Sequence, residues 1–360
     1  MNMKQQFMMV RQTLPALLCL FLWVVGLQAQ DFHYSQFSYA PLHLNPALTG
    51  VFAGDTRIAA SYRSQWNQVP VAYETFTVTA DHKYTCGAAG PGFFSVGAAL
   101  NYDQAGDSRL ALAEFGLYGS YTRPLNEQSF VTAGLNIGAG QRAFKTEDLR
   151  FDRNFDPLMQ MFNPDLDNGE NFSNTSHIFL DAGFGINFRW QALQSTALID
   201  LLEKRSKLDI GIGIHHLTRP DMSFRDDVES KLPIRYSPYA TGIIQVGDPL
   251  DAHLAIMAQY QGPYRQYLAT IGAKLHLNRT PGQQLSIMLG AGYRFDEFGD
   301  AWYPALEFNY HEFLRASLSY DINISEFQIA TNRRGGLELN VRYLIKKVCP
   351  LPNFKFCPLI

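Results

Sequence analysis

Apolar side chains recur at every second position in one segment of the chain after another. Over residues 93–103, Phe94, Val96, Ala98, Leu100 and Tyr102 share one face, and Ser95, Gly97, Ala99, Asn101 and Asp103 share the other. Residues 130–140 set Val131, Ala133, Leu135, Ile137 and Ala139 against Thr132, Gly134, Asn136, Gly138 and Gly140. Residues 178–190 set Ile178, Leu180, Ala182, Phe184, Ile186, Phe188 and Trp190 against Asp181, Gly183, Gly185, Asn187 and Arg189. A period of two is that of a β-strand, whose successive side chains point to opposite faces. Fourteen such segments follow one another, at about 56–66, 73–82, 93–103, 110–122, 128–142, 176–190, 207–217, 234–246, 251–261, 266–277, 284–294, 301–310, 313–321 and 336–344.

The second face decides what kind of sheet this is. A soluble sandwich packs large side chains inward and turns polar ones out. Here the non-apolar face mixes glycine with Asp, Asn and Arg, which suits the lumen of a membrane barrel whose apolar face meets lipid. The apolar faces often end in an aromatic residue, as at Tyr102, Tyr121, Trp190, Tyr260, Tyr293, Tyr310, Tyr320 and Tyr343. Aromatics in that position form interfacial girdles. Most segments are near the 9–11 residues of a tilted transmembrane strand. The predicted fold is therefore all-β, a transmembrane antiparallel up-and-down barrel of about 14 strands over residues 56–344.

An even strand number places both termini on the periplasmic side. The longer links 143–175, 218–233 and 322–335 then face outward, and the short links 123–127, 247–250 and 311–312 face the periplasm. Residues 191–206 break this rule and are expected to hold a short helix. No internal repeat or second domain stands out.

The compartment is read from the start of the chain. Lys4 and Arg11 precede an uncharged apolar run from Leu14 to Val25, and Leu27-Gln28-Ala29 offers a small residue at the cut. Residues 1–29 are predicted to be a cleaved signal peptide, followed by a periplasmic or plug segment, 30–55, and after the barrel by a periplasmic tail, 345–360. The expected location is the bacterial outer membrane. Composition agrees, with 28 glycines, 13% aromatic residues and a net charge of −3. No basic patch points to nucleic acid.

Candidate chemistry is sparse. No nucleophile elbow, phosphate loop or zinc motif is present, so the chain is expected not to be an enzyme and to hold no metal or cofactor. His215-His216 is read as structural or lumenal, because neighbours on a strand point to opposite faces. Asp165-Leu166-Asp167-Asn168-Gly169-Glu170-Asn171 departs from a calcium loop in its glycine position and lacks the distal glutamate. Arg57, Arg63, Asp81, Asp181, Arg189, Asp209, Arg235, Glu307, Arg315, Asp321, Glu338 and Arg342 fall mostly on the lumen face, leaving open both a salt-bridged, plugged lumen and a polar channel. Three cysteines follow the signal peptide. Cys349 to Cys357 is the expected disulfide, with Cys86 as the competing partner.

Before the first strand stands Ser35-Gln36-Phe37-Ser38-Tyr39-Ala40-Pro41-Leu42-His43-Leu44-Asn45-Pro46-Ala47-Leu48-Thr49-Gly50, with Tyr62-Arg63-Ser64-Gln65-Trp66 beyond it. Further on come Asp181-Ala182-Gly183-Phe184-Gly185, then Gly211-Ile212-Gly213-Ile214-His215-His216-Leu217-Thr218-Arg219-Pro220, then Leu232-Pro233-Ile234-Arg235-Tyr236. Gly292-Tyr293-Arg294, Leu318-Ser319-Tyr320-Asp321-Ile322-Asn323 and Gly335-Gly336-Leu337-Glu338-Leu339 complete the series. In this order they resemble the PorP/SprF family of membrane proteins associated with type IX secretion. The match spans nearly the whole mature chain, and His43 and the long acidic loop depart from it.

The resemblance implies a role in exporting proteins across the outer membrane or holding them at the surface, including gliding motility and retention of large adhesins. It implies partners among secreted surface proteins and other type IX components. Ser35, Gln36, Phe37, Pro41, Leu44, Asn45, Pro46, Ala47, Gly50, His216, Pro220, Asp321, Gly336 and Glu338 carry the motifs and are the candidate partner-binding residues. For Asn45-Pro46 the readings are a docking segment, a plug strand or an N-terminal arm packed at the barrel base, the last being favoured. A diffusion porin or solute transporter is the alternative function, and a barrel hydrolase a third.

Overall fold

The computed structural model describes residues 31–346 except 66–72, 86–91, 107–108, 147–148, 150, 157–158, 164–165, 167–173, 193–203, 225–228, 281–282, 296–299, 312 and 326–327. All four cysteines, the helix expected within 191–206 and most of the acidic loop therefore lie outside the described residues.

The strands are β1 (Thr56–Gln65), β2 (Tyr73–Tyr84), β3 (Phe93–Ala105), β4 (Leu110–Pro124), β5 (Ser129–Ala143), β6 (Ser176–Gln191) and β7 (Lys207–His215). They continue as β8 (Arg235–Gln245), β9 (Leu250–Gln261), β10 (Tyr264–Asn278), β11 (Leu285–Phe295), β12 (Ala301–Tyr310), β13 (Leu314–Asn323) and β14 (Arg334–Ile345). Each pairs antiparallel with its sequence neighbours, and β14 closes on β1 to complete a fourteen-stranded barrel. Closure leaves no unpaired edge, so each strand is hydrogen-bonded to a neighbour on both sides.

The alternation seen in the sequence sorts side chains outward and inward. Leu100, Leu135, Ile137, Leu180, Ile256, Ile271 and Leu289 stand on the outer face, all exposed. Exposing such a surface to water would be unnatural for a monomer, whereas lipid accepts it. Aromatics bound this band at both ends. Tyr102, Tyr260, Tyr293, Trp302 and Tyr320 lie near one rim, with Tyr267 and Phe295 stacked at 5.2 Å. Phe94, Tyr121, Tyr310 and Tyr343 lie near the other, with Phe94 and Tyr121 at 4.7 Å. Trp302 and Tyr310 are eight residues apart on one strand, which at ~3.3 Å per residue and a tilt near 40° separates the belts by about 20 Å along the axis.

The two rims differ. At one, hereafter the turn end, β1 begins and β14 ends, and short connections join β4 to β5, β8 to β9 and β12 to β13. At the other, the loop end, lie the longer links 144–175, 216–234 and 324–333. Links 106–109, 262–263 and 296–300 are short exceptions there, and Gly262 takes φ +56°. Link 144–175 carries its own small hairpin, Phe155–Asp156 with Met161–Phe162. Link 216–234 turns inward: Met222 and Leu232 pack on Phe179 of β6, and Arg142 Nη1 donates to the Met222 carbonyl at 2.9 Å. Asp221 pairs with Lys231 at the neck of this loop. The backbone N–H groups of Ser230 and Ser223 hold the Asp221 carboxyl below the usual carboxylate range.

Candidate functional site

The candidate site is the lumen and the segment Phe32–Phe52 that occupies it. Its local shape follows from two prolines. Pro41 opens a one-turn helix, Pro41–Leu44, and Pro46 opens a 3-10 turn, Pro46–Leu48. Proline is preorganised for the first helical position and keeps the residue before it extended. Asn45 is accordingly extended (φ −157°, ψ 123°), and its Oδ1 caps the next turn by accepting from Ala47 N at 2.8 Å. The segment is thus a chain of short turns with nearly all its side chains buried. Wall residues of all fourteen strands meet it.

Its first anchor lies toward the loop end. Glu338 of β14 accepts the backbone N–H of Ser35 at 2.7 Å and of Gln36 at 2.9 Å. Ser35 Oγ donates to Asp321 of β13 at 2.9 Å, and its carbonyl accepts from Tyr303 OH at 2.7 Å. The Gln36 amide bridges Ser319 and Ser317. Arg63 of β1 and Arg294 of β11 each reach Asp321 Oδ2 at 2.8 Å, and each also donates to Ser35 Oγ. Arg63 lies 3.6 Å from Glu338, and Arg294 also pairs with Asp300. Two guanidiniums and two buried carboxylates thus close around one serine. Such charges persist in a low-dielectric interior only when paired and hydrogen-bonded.

The second anchor is one of shape. Asn45 Nδ2 donates to the Ile186 carbonyl at 3.0 Å and lies 3.2 Å from Tyr239 OH, which itself donates to Asn187. The segment's backbone lies against the wall here. A Cβ on Gly185 would fall 1.8 Å from Asn45 Oδ1, and one on Gly213 would fall 2.2 Å from the Leu44 carbonyl. Only glycine leaves space for so close an approach. Phe37, Leu44 and Leu48 then pack with Tyr239, Met257, Leu268 and Tyr303, and Leu42 packs with Ala99 and Tyr118.

Between and beyond these anchors, Tyr39 donates to Glu307. His43 stacks on Phe32 at 4.4 Å, and its Nε2 accepts from Arg235 Nη1 at 3.0 Å. Toward the turn end, Gly50 N donates to Asp81 at 2.7 Å, and Asp81 also takes a two-pronged bond from Arg57. Arg57 and Lys83 both sit over the Phe52 ring, at 4.7 and 5.3 Å.

Of the motif residues, Ser35, Gln36, Phe37, Pro41, Leu44, Asn45, Pro46, Ala47 and Gly50 lie in this buried segment, and Asp321 and Glu338 are its wall partners. Gly336 is in register with both Asp321 and Gln65, where a Cβ would meet the Ser64 carbonyl at 2.5 Å. His216 and Pro220 stand apart. His216 binds Asp181 at 2.9 Å, and the Pro220 carbonyl accepts from Leu232 N. The opposite-faces argument for His215-His216 does not hold, because His216 leaves the strand at φ +59°. Both rings are buried, with centroids 6.3 Å apart, and His215 Nε2 lies 3.3 Å from the Leu44 carbonyl. Tyr239, Tyr303 and Arg294 were missed as site residues. Parity with glycine signals Arg294 alone, which shares a face with Gly290 and Gly292 of β11; β12 holds no glycine, and Gly242 of β8 has the parity opposite to Tyr239.

A closed antiparallel barrel with an apolar outer band, aromatic rims and a polar, occupied lumen defines an outer-membrane β-barrel. Similar folds include a TodX deltaS2S3 mutant monoaromatic hydrocarbon channel, with TM-score 0.50 and 9% identity over 84% of this chain and 92% of that one. The Ralstonia pickettii toluene transporter TbuX has TM-score 0.49 and 11% identity over 85% and 92%. A Pseudomonas aeruginosa FadL homologue has TM-score 0.44 and 11% identity over 83% and 92%. At such identities the likeness concerns fold alone. No curated protein matches the sequence. Residues 26–343 match the family described as type IX secretion system membrane protein PorP/SprF, and the chain belongs to that family.

Proposed function

We propose that this barrel serves type IX secretion as a closed accessory that takes part in exporting secreted adhesin-type proteins or anchoring them at the cell surface. The observation that carries the reading is the segment Phe32–Phe52, met from every side of the lumen. A barrel so filled acts through protein contacts at its rims rather than through passage of solutes. The inward-folded link 216–234, with Met222 and Leu232 against Phe179, supports the same reading. The reading is of a binding protein, not an enzyme. The polar groups best suited to chemistry, Ser35, Asp321, Glu338, Arg63 and Arg294, are tied to one another. In the proposed orientation the turn end faces the periplasm, where other secretion components dock, and the loop end faces outward.

Deleting the gene tests this. Surface display of a secreted adhesin should be lost while permeability to small solutes stays nearly unchanged. Normal display with slowed solute uptake would reject the proposal in favour of a porin. The orientation is tested separately by an epitope near residue 165, which should be labelled on intact cells.

A further inference from the structure

Toward the turn end, the lumen wall gathers basic side chains that the internal ion pairs leave uncompensated. Arg315 and Arg342 stand directly opposite each other on β13 and β14, a position where like charges repel. Lys274 of β10 lies two ladder steps from Glu307, through Met288. His253 of β9 stands opposite Gly272 in the ladder, two residues from Lys274.

The nearby carboxylates are mostly engaged elsewhere. Asp81 is bound by Arg57 at 2.7 Å, Asp209 by Arg189 at 2.8 Å, and Asp251 by Arg205 at 2.9 Å and His276 at 2.7 Å. Glu307 remains, 3.4 Å from Arg315 and 4.0 Å from Lys274, and it also accepts from Asn309 and Tyr39. Among the described residues, Glu307 is the one carboxylate within 4.0 Å of Lys274 or Arg315. The Arg342 side chain makes no hydrogen bond or ion pair with any described residue. Arg342 Nε and His253 Nε2 are buried without a partner. Buried donors are normally satisfied, and clustered cations attract each other's counter-ion strongly where water is scarce.

We propose that this cluster binds a compact polyanion, a ligand carrying two or more phosphate or carboxylate groups, on Lys274, Arg315 and Arg342. Guanidiniums take such oxygens in pairs, and the ammonium serves as a point charge. The half-exposed Arg315, one residue from the start of β13, gives the site its opening toward the turn end.

The test uses the purified full-length barrel in detergent, titrated by calorimetry with pyrophosphate and, in parallel, with citrate. Saturable binding of one molecule per barrel is expected for at least one of them, and which one binds assigns phosphate or carboxylate chemistry. Arg342→Gln and Lys274→Gln should each weaken it about tenfold or more, in line with loss of a charge-assisted contact. Arg153→Gln, on an exposed loop, should leave it unchanged. Without ligand, Arg342→Gln should unfold at the same or a higher temperature than wild type, because it removes a like-charge pair. Absence of saturable binding of both anions, undiminished affinity in the two lumen variants, or a lowered ligand-free unfolding temperature in Arg342→Gln would each overturn the proposal.

Discussion

The two anchors of the lumen segment hold it by opposite means. At Ser35 and Gln36 the grip is electrostatic: Glu338 takes two backbone N–H groups, while Asp321 binds a serine hydroxyl between two arginines. At Asn45 the grip is steric, a turn seated against wall glycines with a few neutral hydrogen bonds. The comparison teaches where each is vulnerable. The first fails when a charge is left without its partner. The second fails when volume is added.

The largest effect is expected at the electrostatic anchor. Asp321→Ala strips Arg63 and Arg294 of their shared carboxylate, and breaking one side of a buried pair costs about 3–5 kcal/mol. Thermal unfolding of the barrel, followed by its shift in gel mobility, should show that loss. A change under about 1 kcal/mol would mean that Glu338 and Asp300, rather than Asp321, carry the pairing of these arginines.

A smaller effect is expected from adding volume at the seat. Gly185→Val forces a side chain into the space of Asn45, and overpacking of this kind costs about 1–3 kcal/mol. It should also unseat the segment locally. A cysteine introduced as Ala47→Cys, in a background without the native cysteines, should be slow to react with a maleimide in the parent and fast beside Gly185→Val. Equal rates would show that the wall yields instead of the segment.

The smallest effect is expected from Asn45→Ala, which removes the cap and its wall bonds but keeps the shape. A cap of this kind is worth about 0.5–2 kcal/mol. If Asn45→Ala proved as costly as Asp321→Ala, the seat would be held by polar bonds after all, and the contrast between the anchors would collapse.

The barrel itself was legible in the sequence because membrane strands reveal themselves twice, through apolar alternation and through glycines that fall mostly on the opposite parity, Gly119 and Gly242 being exceptions. Strand ends moved by only a few residues, as where β10 begins at Tyr264 and β4 runs to Pro124. The motif residues of the lumen could also be picked out, but what they touch could not. Ser35 and Glu338 are 303 positions apart, and nothing local joins them. They meet because closure sets β14 beside β1 while the segment ahead of β1 runs back through the lumen. That path also carries Phe32–Gln36 to the loop end, although β1 begins at the turn end. An even strand count constrains where β1 starts, but not where the chain before it goes. For His216 the opposite-faces argument fails for a different reason: a positive φ at the strand's end cancels the alternation on which it relied.

The central claim is that the lumen is filled by Phe32–Phe52 and that the barrel does not work as a pore. Single-channel recording in planar bilayers tests it most directly. The full-length mature protein should give no stepwise conductance, and a variant lacking residues 32–49 that still assembles should give discrete open steps. Stable open steps from the full-length protein would contradict the account.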